Sequence, residues 1–215
     1  MTHVDWYRNK TWTRDIKTAF FKRLDRCRSS YNKASYLRIQ ASHLQQTGKR
    51  KYILAALELL DLMFEKYPEP QELATAYLQC AQCFEYLRDY KSAVSSFRNS
   101  INAEREYTGV RVEAALHFGW FVVKRRMKDL YDEVLSAPKP CEAALLWPEY
   151  QFKYSSIFAI ILDYKGEIAP SRRFAKTALE IMAKQESPFR YHKNLGLVKN
   201  PDKVVVKKLR KIAAV

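Results

Sequence analysis

Residues 74–105 read ATAYLQCAQCFEYLRDYKSAVSSFRNSINAER. Large and small side chains recur there three or four residues apart, first at Tyr77, Cys80, Ala81 and Phe84, then at Ala93, Phe97 and Ser100. That is the period of one face of an α-helix, interrupted once. The spacing predicts a helix over 71–87 and a second over 90–107, stopped by Thr108 and Gly109. Size matching holds such a hairpin together. Ala81 and Ala93 fall where the two helices approach closest, and Tyr77, Phe84 and Phe97 fill the spaces beside them.

Outward from this stretch the pattern repeats. Upstream, helices over about 32–46 and 51–67 form another hairpin, ended by Thr47-Gly48 and by Pro68 and Pro70. Downstream, a weaker unit from about Val112 offers Phe118, Gly119 and Val122, but Tyr131 takes the small position of its second helix, which stops at Pro138. A fourth unit from about Phe152 has Phe158, Ala159 and Leu162, then Ala175, Leu179 and Met182, with Pro170 in the first turn of its second helix. Residues 137–148 interrupt the series with three prolines and a short apolar run that reads as an extra turn. Units of roughly 36 to 40 residues, each a pair of helices unable to bury its apolar face alone, are the signature of an all-α fold, an α-solenoid of antiparallel helix hairpins. An N-terminal helix from near Thr13, with Ile16, Phe20 and Leu24 on one face, precedes the array.

Residues 34–184 resemble the tetratricopeptide repeat. All seven signature positions fit in 74–105, and Leu37, Ala41, Leu44, Ala55, Leu59 and Leu62 carry the likeness upstream, where Gln40 stands in an apolar position. The resemblance implies a non-catalytic scaffold whose first helices line a concave groove for a protein or peptide partner. Carried onto this sequence, the groove presents Ser35, Arg38, Ser42 and Gln45, then Thr75, Leu78, Gln82 and Glu85. Later units add Leu116, Trp120 and Val123, then Lys153, Ile160 and Asp163. Trp120 is the expected aromatic anchor. Family members that clamp acidic C-terminal peptides do so with several basic groove residues. Arg38, Ser42, Gln79, Glu113 and His117 stand at those places, so that ligand class is not expected. The implied organisation is a basic capping helix over 1–33, tetratricopeptide-like repeats over 34–187, and a capping segment with a basic tail over 188–215.

The chain has 215 residues, 47 % hydrophobic and 28 % charged, with only 5 glycines. So little glycine argues against β-sandwiches, dinucleotide-binding sheets and phosphate-binding glycine loops. The net charge of +15 is concentrated at the ends: residues 1–51 hold 13 basic and 3 acidic side chains, 52–189 hold 17 and 19, and 190–215 hold 8 and 1. Lys22, Arg23, Arg26 and Arg28 form one basic patch near the first helix. Lys207, Lys208, Arg210 and Lys211 form another beside Val205, Leu209 and Ile212 on a short amphipathic stretch, which reads as a frayed tail. Residues 188–201 are too apolar for a linker and are expected to fold back as a cap. The basic ends attract an acidic partner or nucleic acid. The alternative function is therefore a helical-repeat protein binding single-stranded RNA or DNA, with Trp6, Tyr7, Trp12 and Tyr31 stacking on bases near Arg8, Lys10 and Lys33. Those aromatics serve equally as a cap over the first repeat.

Catalysis has little support. His3, His43, His117 and His192 are dispersed, with no hydrolase, metalloprotease or nucleotide-binding spacing around them. The pair Cys80 and Cys83 lies inside a helical pattern without a second ligand pair, so neither zinc nor a thioredoxin-type site is expected. No cofactor or small-molecule substrate is implied. No run is long and apolar enough for a membrane span and no targeting signal is visible, which points to a cytoplasmic protein, and the caps expected at both ends of the array point to a monomer.

Overall fold

A computed structural model describes residues 6–214, and every regular element among them is helical. The helices are α1 Arg14–Arg26, α2 Ser30–Gln45, α3 Arg50–Lys66, α4 Pro70–Leu87, α5 Tyr90–Glu106, α6 Ala114–Arg125, α7 Tyr131–Ser136, α8 Pro148–Tyr164, α9 Ile168–Met182 and α10 Lys203–Ala214. Short 3₁₀ turns precede α7 at Lys128–Leu130 and α8 at Ala144–Leu146. No described helix is long and apolar enough to cross a membrane. The chain divides into two compact units, Met1–Ala114 and Ala115–Val215, a division that falls inside the span read as one array.

In the first unit, α2 pairs with α3 and α4 with α5, and α2 also lies beside α4. The helix starts are set locally: the side chains of Thr13, Ser29 and Asp89 accept from the N–H groups of Ile16, Asn32 and Ser92 at 3.4, 3.2 and 3.1 Å. Ala81 and Ala93 are fully buried, and the Ser100 hydroxyl donates to the Ala74 carbonyl at 2.7 Å, tying α5 to the start of α4. Contacts between α2 or its following turn and α4 recur at sequence separations of 34, 37 and 38 residues: Arg38 with Glu72, Gln45 with Gln82, and Tyr86 with the Gly48 carbonyl. These contacts place the first helices of the two hairpins side by side.

Gln40, the polar residue in an apolar position, is wholly buried because it holds the N-terminal segment. Its amide donates to the Asn9 carbonyl at 2.7 Å and accepts from the Asn9 backbone N–H at 3.0 Å and side chain at 2.9 Å. Along that segment Trp6 packs against Phe20 and Tyr36, and Trp12 against Phe20 and Phe21, with ring centroids 4.9 to 6.4 Å apart. The N-terminal aromatics therefore cover the first hairpin.

In the second unit, α6 passes so close to its neighbours that a Cβ on Gly119 would lie 3.0 Å from Val134 of α7 and 3.1 Å from Ile157 of α8. Tyr131 is buried in what should be a small position, and α7 ends after six residues. The hairpin α8/α9 is complete. The stretch expected to be a frayed tail is instead the helix α10, packed on α9 and α8 with Val205, Val206, Leu209 and Ile212 buried. A twelve-residue helix is marginal alone, and burial of that face is what holds it. Residues 188–201 do fold back, but onto the start of α8. Phe189 packs on Trp147 at 4.9 Å, and the Glu149 N–H donates to the Gly196 carbonyl at 2.8 Å. Only glycine fits at 196, with φ +71° and a would-be Cβ 2.7 Å from the Trp147 ring.

Candidate functional site

The face shared by α2 and α4 brings together Arg38 and Gln45 with Leu78, Gln82 and Glu85, the residues expected in the first half of a groove. Much of their polarity is turned inward. Arg38 pairs with Glu72, which is 4 % exposed at the start of α4, and Gln45 donates to Gln82 at 3.0 Å. Leu78 is buried. Between the two helices, with Ile53 of α3 in its wall, lies a depression of about 340 Å³ lined otherwise by Ser42, Gln45, Gln46, Gln79, Gln82 and Tyr86. On its wall the Gln79 side-chain oxygen is buried and has no hydrogen-bond partner. Leaving such an acceptor unpaired costs about 1–3 kcal/mol, which an incoming N–H donor recovers.

Trp120 and Lys153 both lie in the second unit, each engaged with other side chains. Trp120 of α6 is half-buried edge-on to Phe152, 5.8 Å between centroids, and the Lys153 ammonium sits 2.7 Å from Glu149 and 5.6 Å from the centre of the Tyr150 ring. His117, one turn before Trp120, stands edge-on to Tyr150. Burial, and then the Lys153 charge, push its pKa down to about 4 from an ordinary 6.5. His117 is thus neutral around pH 7, as Cys80 and Cys83 are protonated: burial raises both thiols, that of Cys83 to about 12.

A pH dependence follows. Between pH 6.5 and 4 the unfolded chain binds a proton at His117 that the folded chain refuses, so stability falls as pH falls through that window. The expected loss is about 2 kcal/mol, allowing for the ring's partial contact with water. Denaturant titrations at pH 7.5 and 4.5 should show it, and His117→Phe should remove most of that difference. An equal loss in the variant would assign the effect to other groups.

A wide cleft lies wholly in the second unit, about 1070 Å³ between the end of α6 and α10, floored by α8. One rim carries Lys124, Arg125, Arg126 and Lys128, and the other Lys207, Lys208 and Lys211. Both carboxylates are engaged: Asp163 takes Lys208 at 2.5 Å, and Asp202 caps α10 by accepting from the N–H groups of Val204 and Val205. Arg126, Lys207 and Lys211 carry no ion pair among the described residues. Tyr164, 54 % exposed on the floor, lies edge-on to Tyr131 with the Lys128 ammonium 4.9 Å from its ring centre.

No family model, curated protein or solved structure matches this chain.

Of the expected basic residues, Lys207, Lys208 and Lys211 line this cleft, while Arg210 faces a different hollow beside Met182 and Pro201. Lys22, Arg23 and Arg26 are exposed on α1 in the other unit, and Arg28 is exposed just after it. The first rim was not anticipated. Its signal is four cations in the five residues 124–128, hidden by averaging over a segment that is neutral as a whole.

Proposed function

We propose that this chain is a non-catalytic, tetratricopeptide-like helical-repeat scaffold that holds an extended peptide of a partner protein on the face of α2 and α4. The observation carrying this is the unpaired Gln79 oxygen in a depression that four glutamines, Ser42 and Tyr86 line together with the apolar Ile53. Neutral donors and acceptors at close spacing suit the main chain of a peptide, which offers one N–H and one C=O per residue. The contacts of α2 and its following turn with α4, at separations of 34 to 38 residues, are compatible with the repeat reading. Trp120 and Lys153, with their rings and charge already engaged, stand as secondary contacts rather than anchors.

Selection of random peptides against the intact chain, followed by hydrogen exchange on the complexes, tests this. The expected result is protection concentrated in α2 and α4, and binding weakened about tenfold or more by Gln79→Leu, which keeps the side-chain volume but removes the acceptor. Peptides that bind Gln79→Leu as well as the parent chain, or that protect other helices, would overturn the assignment.

A further inference from the structure

We propose that the basic cleft of the second unit binds single-stranded nucleic acid, its rims holding phosphates and Tyr164 stacking on a base. This rests on features independent of the α2/α4 face.

The charge is arranged for a polyanion that runs between two rims. Arg126 stands on one and Lys207 and Lys211 on the other, each without an ion pair among the described residues, while the cleft's two carboxylates are taken up by Lys208 and by the start of α10. At Arg126, Lys207 and Lys211 a ligand therefore meets cations that no carboxylate already holds among the described residues. The floor separates the possible polyanions. Charged carboxylates and a compact phosphate ester gain little from the face of a ring, whereas an unpaired base stacks on it for about 1–3 kcal/mol. Tyr164 offers that ring, more than half exposed and edge-on to the buried Tyr131, with the Lys128 ammonium over one face, where a phosphate or the rim of a stacked base would meet it. In a duplex the base faces are occupied by stacking, so the preference is for single strands.

Arg126 provides an unusual control. It ends α6 in the left-handed region, φ +56°, with the Met127 N–H donating back to the Val122 carbonyl at 3.1 Å. This is the helix-end position that glycine occupies most readily. Arg126→Gly removes the charge while relaxing the backbone, so a loss of binding in that variant is not a loss of folding.

The experiment is fluorescence anisotropy of the full chain with a labelled single-stranded 12-mer RNA of mixed sequence, from 50 to 200 mM KCl. With about four phosphates contacted, affinity should fall roughly 50-fold over that range, a log–log slope near −2.8. The triple variant Arg126→Gly, Lys207→Gln and Lys211→Gln should bring the slope to about −0.7. Tyr164→Ala should weaken binding about tenfold without altering the slope. Substituting Lys22 and Arg23 on α1 by glutamine should change neither. An unchanged slope in the triple variant overturns the site. If Tyr164→Ala binds the RNA like the parent chain, and a poly-glutamate peptide or an abasic strand of equal charge binds as tightly as the RNA, the nucleic-acid assignment is overturned in favour of an acidic partner.

Discussion

Replacing Arg38 by alanine is expected to destabilise the first unit by about 2–3 kcal/mol, whether or not a partner is present. The guanidinium is the ion-pair partner of Glu72, whose side chain is 6 % exposed, and removing it strands a carboxylate in a place water barely reaches. Breaking a buried pair from one side costs about 3–5 kcal/mol. Here Arg38 itself is 21 % exposed and Glu72 lies in the first turn of α4, where the helix dipole favours negative charge, so the lower part of that range applies. The double variant Arg38→Met with Glu72→Leu should recover most of the loss, because no charge is then left buried. Native-state hydrogen exchange of the α2 and α4 amides resolves this unit from the other and reads the effect directly. A stable Arg38→Ala protein would mean that the side chain serves an external partner, as its place in the repeat implied. A double variant no better than the single one would remove the buried-charge explanation.

Arg38 also shows where the sequence stops being informative. The hairpins of residues 30–106 are legible because their causes are local: the apolar period, the stops at Gly48, Pro68 and Gly109, and the pairing of small residues with large ones. Which charge meets Arg38 depends on the register between α2 and α4, and Glu72 is 34 residues away. Gln40 is the same problem reversed. A polar residue on an apolar stripe looks like a flaw until Asn9, which it holds, is placed beside it. The groove was read from the repeat pattern, but the pattern says nothing of how far neighbouring side chains satisfy one another. Arg38, Gln45 and Lys153 spend their polarity on Glu72, Gln82 and Glu149. The basic cleft was only half legible for a further reason. Its rims come from residues 124–128 and 207–211, which nothing in the sequence places together, and the first of them lies in a region whose net charge is close to zero.

Leu209→Ala should release α10 from the second unit. Leu209 is 0 % exposed on the face that α10 turns to α9 and α8, and emptying such a site costs about 2–5 kcal/mol. A helix of twelve residues has little order of its own: its remaining restraints are Val205, Val206, Ile212, the Asp202 cap and the Lys208–Asp163 pair, the last partly exposed and worth little. Loss of about 3 kcal/mol therefore raises the population of the undocked state roughly 150-fold. Trypsin reports it, since Lys207, Lys208, Arg210 and Lys211 are cut only when the helix opens, and cleavage there should accelerate by about that factor while cleavage within α2 to α5 stays constant. The same variant should lose salt-dependent RNA binding, because the second rim of the cleft is carried by α10 and has no fixed position without it. Rapid cleavage at 207–211 in the parent chain would return the segment to the frayed tail that its length alone suggests. Slow cleavage in both proteins would mean that Val205, Val206 and Ile212 suffice to dock the helix.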